Sequence, residues 1–236
     1  SGNPTWTLLA PIGEAPAARH LHTAIYDPVR DQMVVFGGDL LNDVWVLSLS
    51  GSPEWTELAP SGTKPSGRGA HTAVYDPVRD RMVVFGGSDG TGLNEVWALS
   101  LSGSPAWTQL SPSGTKPTGR LYHSSIYDPV RDRMVMFGGY DSSARNDVWA
   151  LSLSGSPAWT KLAPTGTLPA GQHEHTAFYD PPRDRMVVFG SDSISDMWAL
   201  SLSGVPAWTP LVLTGSPPSA RLYHTAIYDP VRDRVV

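Results

Sequence analysis

The chain contains no cysteine, which excludes disulfide bonds, thiolate metal ligands and a cysteine nucleophile. A basic excess is missing too: 17 Lys and Arg stand against 22 Asp and Glu, a formal charge of −5. Neutralising a phosphate backbone needs the opposite balance, so nucleic acid is not expected as a partner. No apolar run approaches the ~18 residues that a bilayer-spanning helix takes, and the first residues carry neither a basic segment nor an apolar leader core. A soluble chain with no membrane partner is expected. Its compartment stays open, because secreted proteins can also lack cysteine.

Turn-forming residues are abundant. The 22 prolines and 23 glycines are too many for a helical protein and suit short strands joined by tight turns. They fall within a repeat: H-T-A-x-Y-D-P-V-R-D-R-M-V-V-F-G-G, then N-D-V-W-A-L-S-L-S-G-S-P-A-W-T, then a Pro/Gly/Thr/Ser stretch ending in Arg. The histidine recurs at His22, His71, His123, His175 and His224, at intervals of 49, 52, 52 and 49 residues.

Each unit reads as four strands, a to d. Residues 71–75 and 82–85 form a hairpin across Asp76-Pro77-Val78-Arg79-Asp80, a type I turn sequence. Residues 95–102 alternate large and small side chains, and Gly103-Ser104-Pro105 turns the chain into 106–110. Met82 and Val84 face one way and Val83 and Phe85 the other, so each sheet needs cover on both sides. A ring of sheets packed face to face provides it, predicting an all-β propeller of antiparallel blades.

Arg68, His71, Phe85-Gly86-Gly87, Asn94-Glu95-Val96-Trp97 and Trp107 recur in order in the first three units and resemble the kelch repeat. Unit four departs, with Gln172 for Arg, Gly190-Ser191 for Gly-Gly, Pro181-Pro182 for Pro-Val and Ser195-Asp196 for Asn-Asp. The blades are expected at about 19–59, 68–111, 120–163 and 172–212, with an incomplete fifth made of about 221–236 plus 4–10. Shared by both termini, that fifth blade lacks one strand. A five-bladed monomer is therefore expected, a strand-sharing homo-oligomer or a piece of a larger ring being the alternatives. The near identity of the units also fits an excised or designed array without a ligand of its own.

The resemblance implies a non-catalytic binding scaffold whose d–a and b–c loops grip a protein, an acidic peptide or a glycan, with no cofactor. Arg19, Arg68, Arg120 and Arg221 end the d–a loops, where kelch domains use arginines to grip acidic peptides; anchoring to loop carbonyls is the structural reading of the same repetition. The b–c loops of units two and three are three residues longer than those of one and four, adding Asp89, Tyr140, Asp141 and Arg145. His22, His71, His123, His175 and His224 form a potential ring at the axis. His20-x-His22 and His173-x-His175 have a spacing that can hold a metal, with Glu174 pointing to the opposite face, yet a histidine in every unit is more simply an anchor. The repeated tryptophans read as packing between blades, the d-strand set partly exposed at the rim. The Asp-Pro-Val-Arg-Asp turns are assigned no chemistry. A kelch-fold enzyme such as a sugar mutarotase is the catalytic alternative; near-identical blades offer few unlike groups at one point.

Overall fold

A computed structural model describes residues 5–191, 194–212, 214–216 and 218–236. Blade 1 consists of β1 (Thr23–Asp27), β2 (Gln32–Phe36), β3 (Val44–Ser48) and β4 (Trp55–Leu58). Blade 2 consists of β5 (Thr72–Asp76), β6 (Arg81–Phe85), β7 (Val96–Ser100) and β8 (Ala106–Leu110). Blade 3 consists of β9 (Ser124–Asp128), β10 (Arg133–Phe137), β11 (Val148–Ser152) and β12 (Ala158–Leu162). The short β13 (Thr165–Gly166) runs parallel to the outer strand of blade 4, which comprises β14 (Thr176–Asp180), β15 (Arg185–Ser191), β16 (Ile194–Ser201) and β17 (Ala207–Leu211). β18 (Tyr228–Asp229) and β19 (Arg234–Val235) form a final two-stranded sheet. Within each blade the four strands pair antiparallel in chain order, and the first strands of successive sheets contact one another.

The a–b turns follow from their sequence. Asp27 Oδ1 accepts the backbone N–H groups of Val29 and Arg30 at 3.0 and 3.2 Å, and Asp31 closes the turn in the left-handed region at φ 49°. Blades 2 and 3 repeat this at Asp76 and Asp128. In blade 4, Pro182 has no N–H to donate, and residues Pro181–Arg183 form a 3₁₀ turn instead.

The hydrophobic core lies between sheets. Ile25, Val34, Phe36 and Val46 of blade 1 pack on Met82, Val84, Leu99 and Trp107 of blade 2. The opposite set on blade 2, with Val74, Val83, Phe85 and Val96, packs on Met134, Met136, Leu151 and Trp159. Each of these joins also sets a b-strand Phe, tilted or edge-on, against the d-strand Trp of the next blade: Phe36–Trp107 at 4.9 Å, Phe85–Trp159 at 4.9 Å and Phe137–Trp208 at 4.8 Å between ring centroids. Such pairs add roughly 0.5–1.5 kcal/mol each beyond the area they bury. These three tryptophans are buried, not partly exposed at the rim as their sequence position suggested.

The turns that carried no assigned chemistry turn out to join the blades. Arg30 donates to Asp27 of its own turn at 2.8 Å and, through both terminal nitrogens, to Asp80 of the next blade at 3.1 and 2.6 Å. Arg79–Asp132, Arg131–Asp184 and Arg183–Asp233 repeat the bridge. Arg30 holds Asp80 below the usual carboxylate range. The bidentate fork fixes the angle between neighbouring turns as well as drawing them together.

Among the described residues four complete blades are present, and the expected fifth is reduced to the two-stranded sheet β18–β19, so the blade count is four rather than five. Residues 5–10 form no strand, and Trp6 and Leu8 are fully exposed, so the expected closure of a fifth blade by this segment is not made; Pro4 lies outside the described residues. The reason is one of pairing: a d strand bonds to a c strand, whereas β19 is a b strand. Unit four differs where its sequence differs. In blade 2, Gly87 sits at φ 88°, and a Cβ there would come within 2.7 Å of the Gly69 carbonyl oxygen and the His71 Cβ. Ser191 cannot take that place; β15 continues to Ser191, pairs it with Ile194 and shifts register after Phe189.

Candidate binding face

The d–a and b–c loops come together where strands a begin. In each unit the residue before the histidine, Leu21, Ala70, Tyr122, Glu174 or Tyr223, has a positive φ between 56° and 61°. This turns its carbonyl toward the next unit. Ala70 N–H donates to Leu21 at 2.9 Å, Tyr122 N–H to Ala70 at 3.0 Å, and Glu174 N–H to Tyr122 at 2.9 Å. A backbone ladder thus runs from blade to blade around the axis.

The histidines are part of the same joins. His71 Nε2 hydrogen-bonds Thr23 Oγ1 of the preceding blade at 2.8 Å, and its ring meets Phe36 edge-on at 5.2 Å. His123 does the same with Thr72 and Phe85, and His175 with Ser124 and Phe137. His224 reaches the Phe189 carbonyl oxygen through Nε2 at 3.1 Å. His22 is exposed, and partial desolvation together with the nearby Arg19 charge lowers its pKa. Burial pushes His71, His123 and His175 down to about 3. Among the described residues no three His, Asp or Glu side chains group as a metal site. The two His-x-His pairs do not share a strand face, because Leu21 and Glu174 between them are left-handed rather than extended.

The arginines are mostly committed to the fold. Arg68 is 0% exposed and Arg120 1%. Arg68 donates to Glu95 at 2.9 Å, to the Gly86 carbonyl at 3.1 Å and to the Ser66 carbonyl at 3.1 Å. Arg120 grips Asp147 at 2.6 and 3.2 Å, and Arg19 grips Asp43 at 2.6 and 2.9 Å. The guanidinium groups of these three are thus not offered to an acidic ligand. They hold the b–c loop of their own blade to its d–a loop, and the acidic partner also anchors the c-strand indole, as Glu95 does for Trp97 Nε1 at 2.8 Å. Arg221 is exposed, bonded only to the Ser219 carbonyl at 3.1 Å.

The longer b–c loops fold back on the d–a loops, with Ser88 bridging Gly69 and Tyr140 bridging Leu121. Asp141 is spent internally, accepting from Thr118 Oγ1 and from Arg145 Nε. Asp89 caps its own loop at Thr91. Tyr140, 40% exposed, stands at the surface with its ring 5.5 Å from His173.

Two cavities open on this face. The axial one, about 420 Å³, is lined by the ladder residues and histidines, including Tyr122, Glu174 and Tyr223. A groove of about 230 Å³ beside it runs past Asp39, Leu40, Ser88 and Leu121, and the two share Leu21, Ala70 and Tyr122. Glu174 therefore faces the axis together with His175, contrary to the alternation argument. Leu21, Ala70, Tyr122 and Tyr223 were not picked out from the sequence, and Glu174 only as a residue facing away. A signal for them existed: within the constant phrase, the position before the histidine is one where the units differ in chemistry.

Because His71, His123 and His175 stay neutral when folded, unfolding exposes rings that take up protons below the ordinary histidine pKa of ~6.5. Stability should be complete above that pH and fall as pH drops toward 3. Urea titrations should show about three protons taken up on unfolding at pH 5, and His123→Gln should remove about one of them. No change in stability between pH 7 and 5 would contradict the assignment.

A family model described as the KLHDC2/KLHL20/DRC7 Kelch-repeats domain matches residues 2–190. Dynein regulatory complex subunit 7 of Chlamydomonas reinhardtii is 34% identical over 108 residues, covering 45% of this chain and 9% of that protein. Multiple epidermal growth factor-like domains protein 8 of Mus musculus is 26% identical over 192 residues, covering 77% of this chain and 7% of that protein. The chain thus spans less than a tenth of the length of either relative. The solved structure of YjhT matches with a TM-score of 0.70 at 17% identity, covering 94% of this chain and 77% of that one, a likeness of fold. The recurring Arg, His, Gly-Gly and Trp positions, the face-to-face blades and the match over most of its length place this chain in the kelch-repeat family of β-propellers.

Proposed function

We propose that this propeller is a non-catalytic protein-interaction scaffold whose d–a/b–c loop face holds a segment of a partner protein. The observation that carries the reading is the pair of adjoining cavities on that face, joined through Leu21, Ala70 and Tyr122. Kelch-repeat domains commonly serve as interaction scaffolds, and one relative is by name a subunit of a complex. The groove wall is apolar where Leu40 and Leu121 line it, which suits side chains of a bound peptide better than a glycan. An acidic peptide is less well served, since Arg19, Arg68 and Arg120 are already paired, leaving Arg145 and Arg221 nearest the surface. Binding rather than catalysis is supported by the engagement of the recurring His and Arg groups in the joins between and within blades.

Peptides selected by phage display on the immobilised protein test this. Those that bind should lose at least tenfold in affinity on a Leu40→Glu, Leu121→Glu variant and bind unchanged to Val78→Glu, which alters an exposed residue of the opposite a–b turns. Peptides sensitive to Val78→Glu alone would place the interaction on the turn face and overturn the assignment.

A further inference from the structure

The axial cavity contains a carboxylate that the fold leaves under-compensated. Glu174 belongs to the ladder through its backbone, while its side chain, 8% exposed, lines the cavity. Oε1 accepts one hydrogen bond, from the Tyr223 hydroxyl at 2.8 Å. Oε2 lies 3.5 Å from His173 Nδ1, which makes no hydrogen bond. Among the described residues no lysine or arginine nitrogen comes within 4.0 Å of it. The buried aspartates of the described a–b turns behave differently: Asp27 takes one arginine, and Asp76, Asp128 and Asp180 take two each. A carboxylate this enclosed costs several kcal/mol in lost hydration unless a cation or several donors compensate it.

The surroundings specify what would compensate it. Tyr122 and Tyr223 lie 5.9 Å apart, and Tyr122 is 6.2 Å from His173, so the carboxylate sits at the edge of an aromatic cluster. Aromatic faces beside a carboxylate favour an organic cation, attracted by the ring quadrupole as well as by the charge. His71, His123 and His175, held neutral by burial, add no positive charge to the wall, and Glu174 is the acidic side chain that lines it. The cavity's volume of about 420 Å³ is that of a small-ligand site.

We propose that the axial cavity is a cation-binding site in which Glu174 pairs with, and Tyr122 and Tyr223 flank, an ammonium or guanidinium group. The bearer is a lysine or arginine side chain of a bound protein segment, or a free amine of the same chemistry. The first of these rests on the partner-binding reading above, the site itself does not. It also reverses the sign of ligand that the arginine pattern suggested, because Arg19, Arg68 and Arg120 are paired with carboxylates and the Glu174 carboxylate has no arginine or lysine beside it among the described residues.

Amide chemical shifts report on the site directly. The folded protein is titrated with N-acetyl-arginine methylamide, with its aspartate counterpart, and with a short apolar peptide carrying one central arginine or, as control, glutamine. The arginine compound should shift the amides of Ala70, Tyr122, Glu174 and Tyr223, and the aspartate compound should not. Glu174→Gln, with its spectrum otherwise intact, should weaken binding at least tenfold, and Tyr122→Leu severalfold. Equal binding of the aspartate compound, or no loss in a folded Glu174→Gln protein, overturns the site. An arginine peptide that binds at least tenfold tighter than the free compound supports the protein-borne cation; no gain overturns that bearer while the site stands. Display-selected peptides that need Leu40 and Leu121 yet ignore Glu174→Gln would overturn the protein-borne cation and leave the scaffold reading in place.

Discussion

A sheet that is apolar on both faces cannot rest against water, and the b and c strands of every complete blade here are of that kind. Val83 and Phe85 look toward blade 3 while Met82 and Val84 look toward blade 1, so no blade completes its core alone. The join between neighbours is therefore the unit on which the rest depends. It is made at several radii at once. Strands a meet at the axis, Phe and Trp rings pack farther out, and Arg–Asp forks tie the turns on one end. On the other end the His–Thr or His–Ser bond and the left-handed ladder do the same.

This division of labour decides where binding chemistry can be placed. A group that repeats in every unit is needed by every unit: the buried histidines are used up in the joins between blades, and the buried arginines in tying the loops within each blade. Freedom to vary remains at positions whose backbone makes the join while their side chain does not. Leu21, Ala70 and Tyr122 meet that condition through the backbone ladder, while Glu174 and Tyr223 add a side-chain bond between units; Leu, Ala, Tyr, Glu and Tyr share one backbone geometry and project different chemistry at the axis. Tyr140 is comparable within its own blade, since its backbone bridges to Leu121 and its ring remains at the surface.

Much of the architecture could be read from residue order, because a fifty-residue repeat with two-faced strands has few ways to bury itself. The hairpins, the four-stranded units and the inter-blade role of the tryptophans rest on local alternation and spacing, which a sequence displays directly. Harder to see was anything that depends on which copy a residue meets. Arg79 has an aspartate three residues before it and one directly after, but its bidentate partner is Asp132 in the next blade. Nothing in the turn itself names that partner. Arg68 and Arg120 looked like surface groups at loop ends; their burial comes from Glu95 and Asp147 arriving from the b–c loop. Glu174 was misplaced for a sharper reason, since strand alternation was applied to a residue whose φ of 61° removes it from any strand.

If the ladder is part of the core of each join, its amides should behave as core amides despite lying in loops. Native-state hydrogen exchange measures this at single residues. The N–H groups of Ala70, Tyr122 and Glu174 should exchange within about tenfold of those in the middle of β6 and β10, a difference of ~1.4 kcal/mol. Exchange of these three amides at the rate of an unstructured loop, with the strands still protected, would contradict the account.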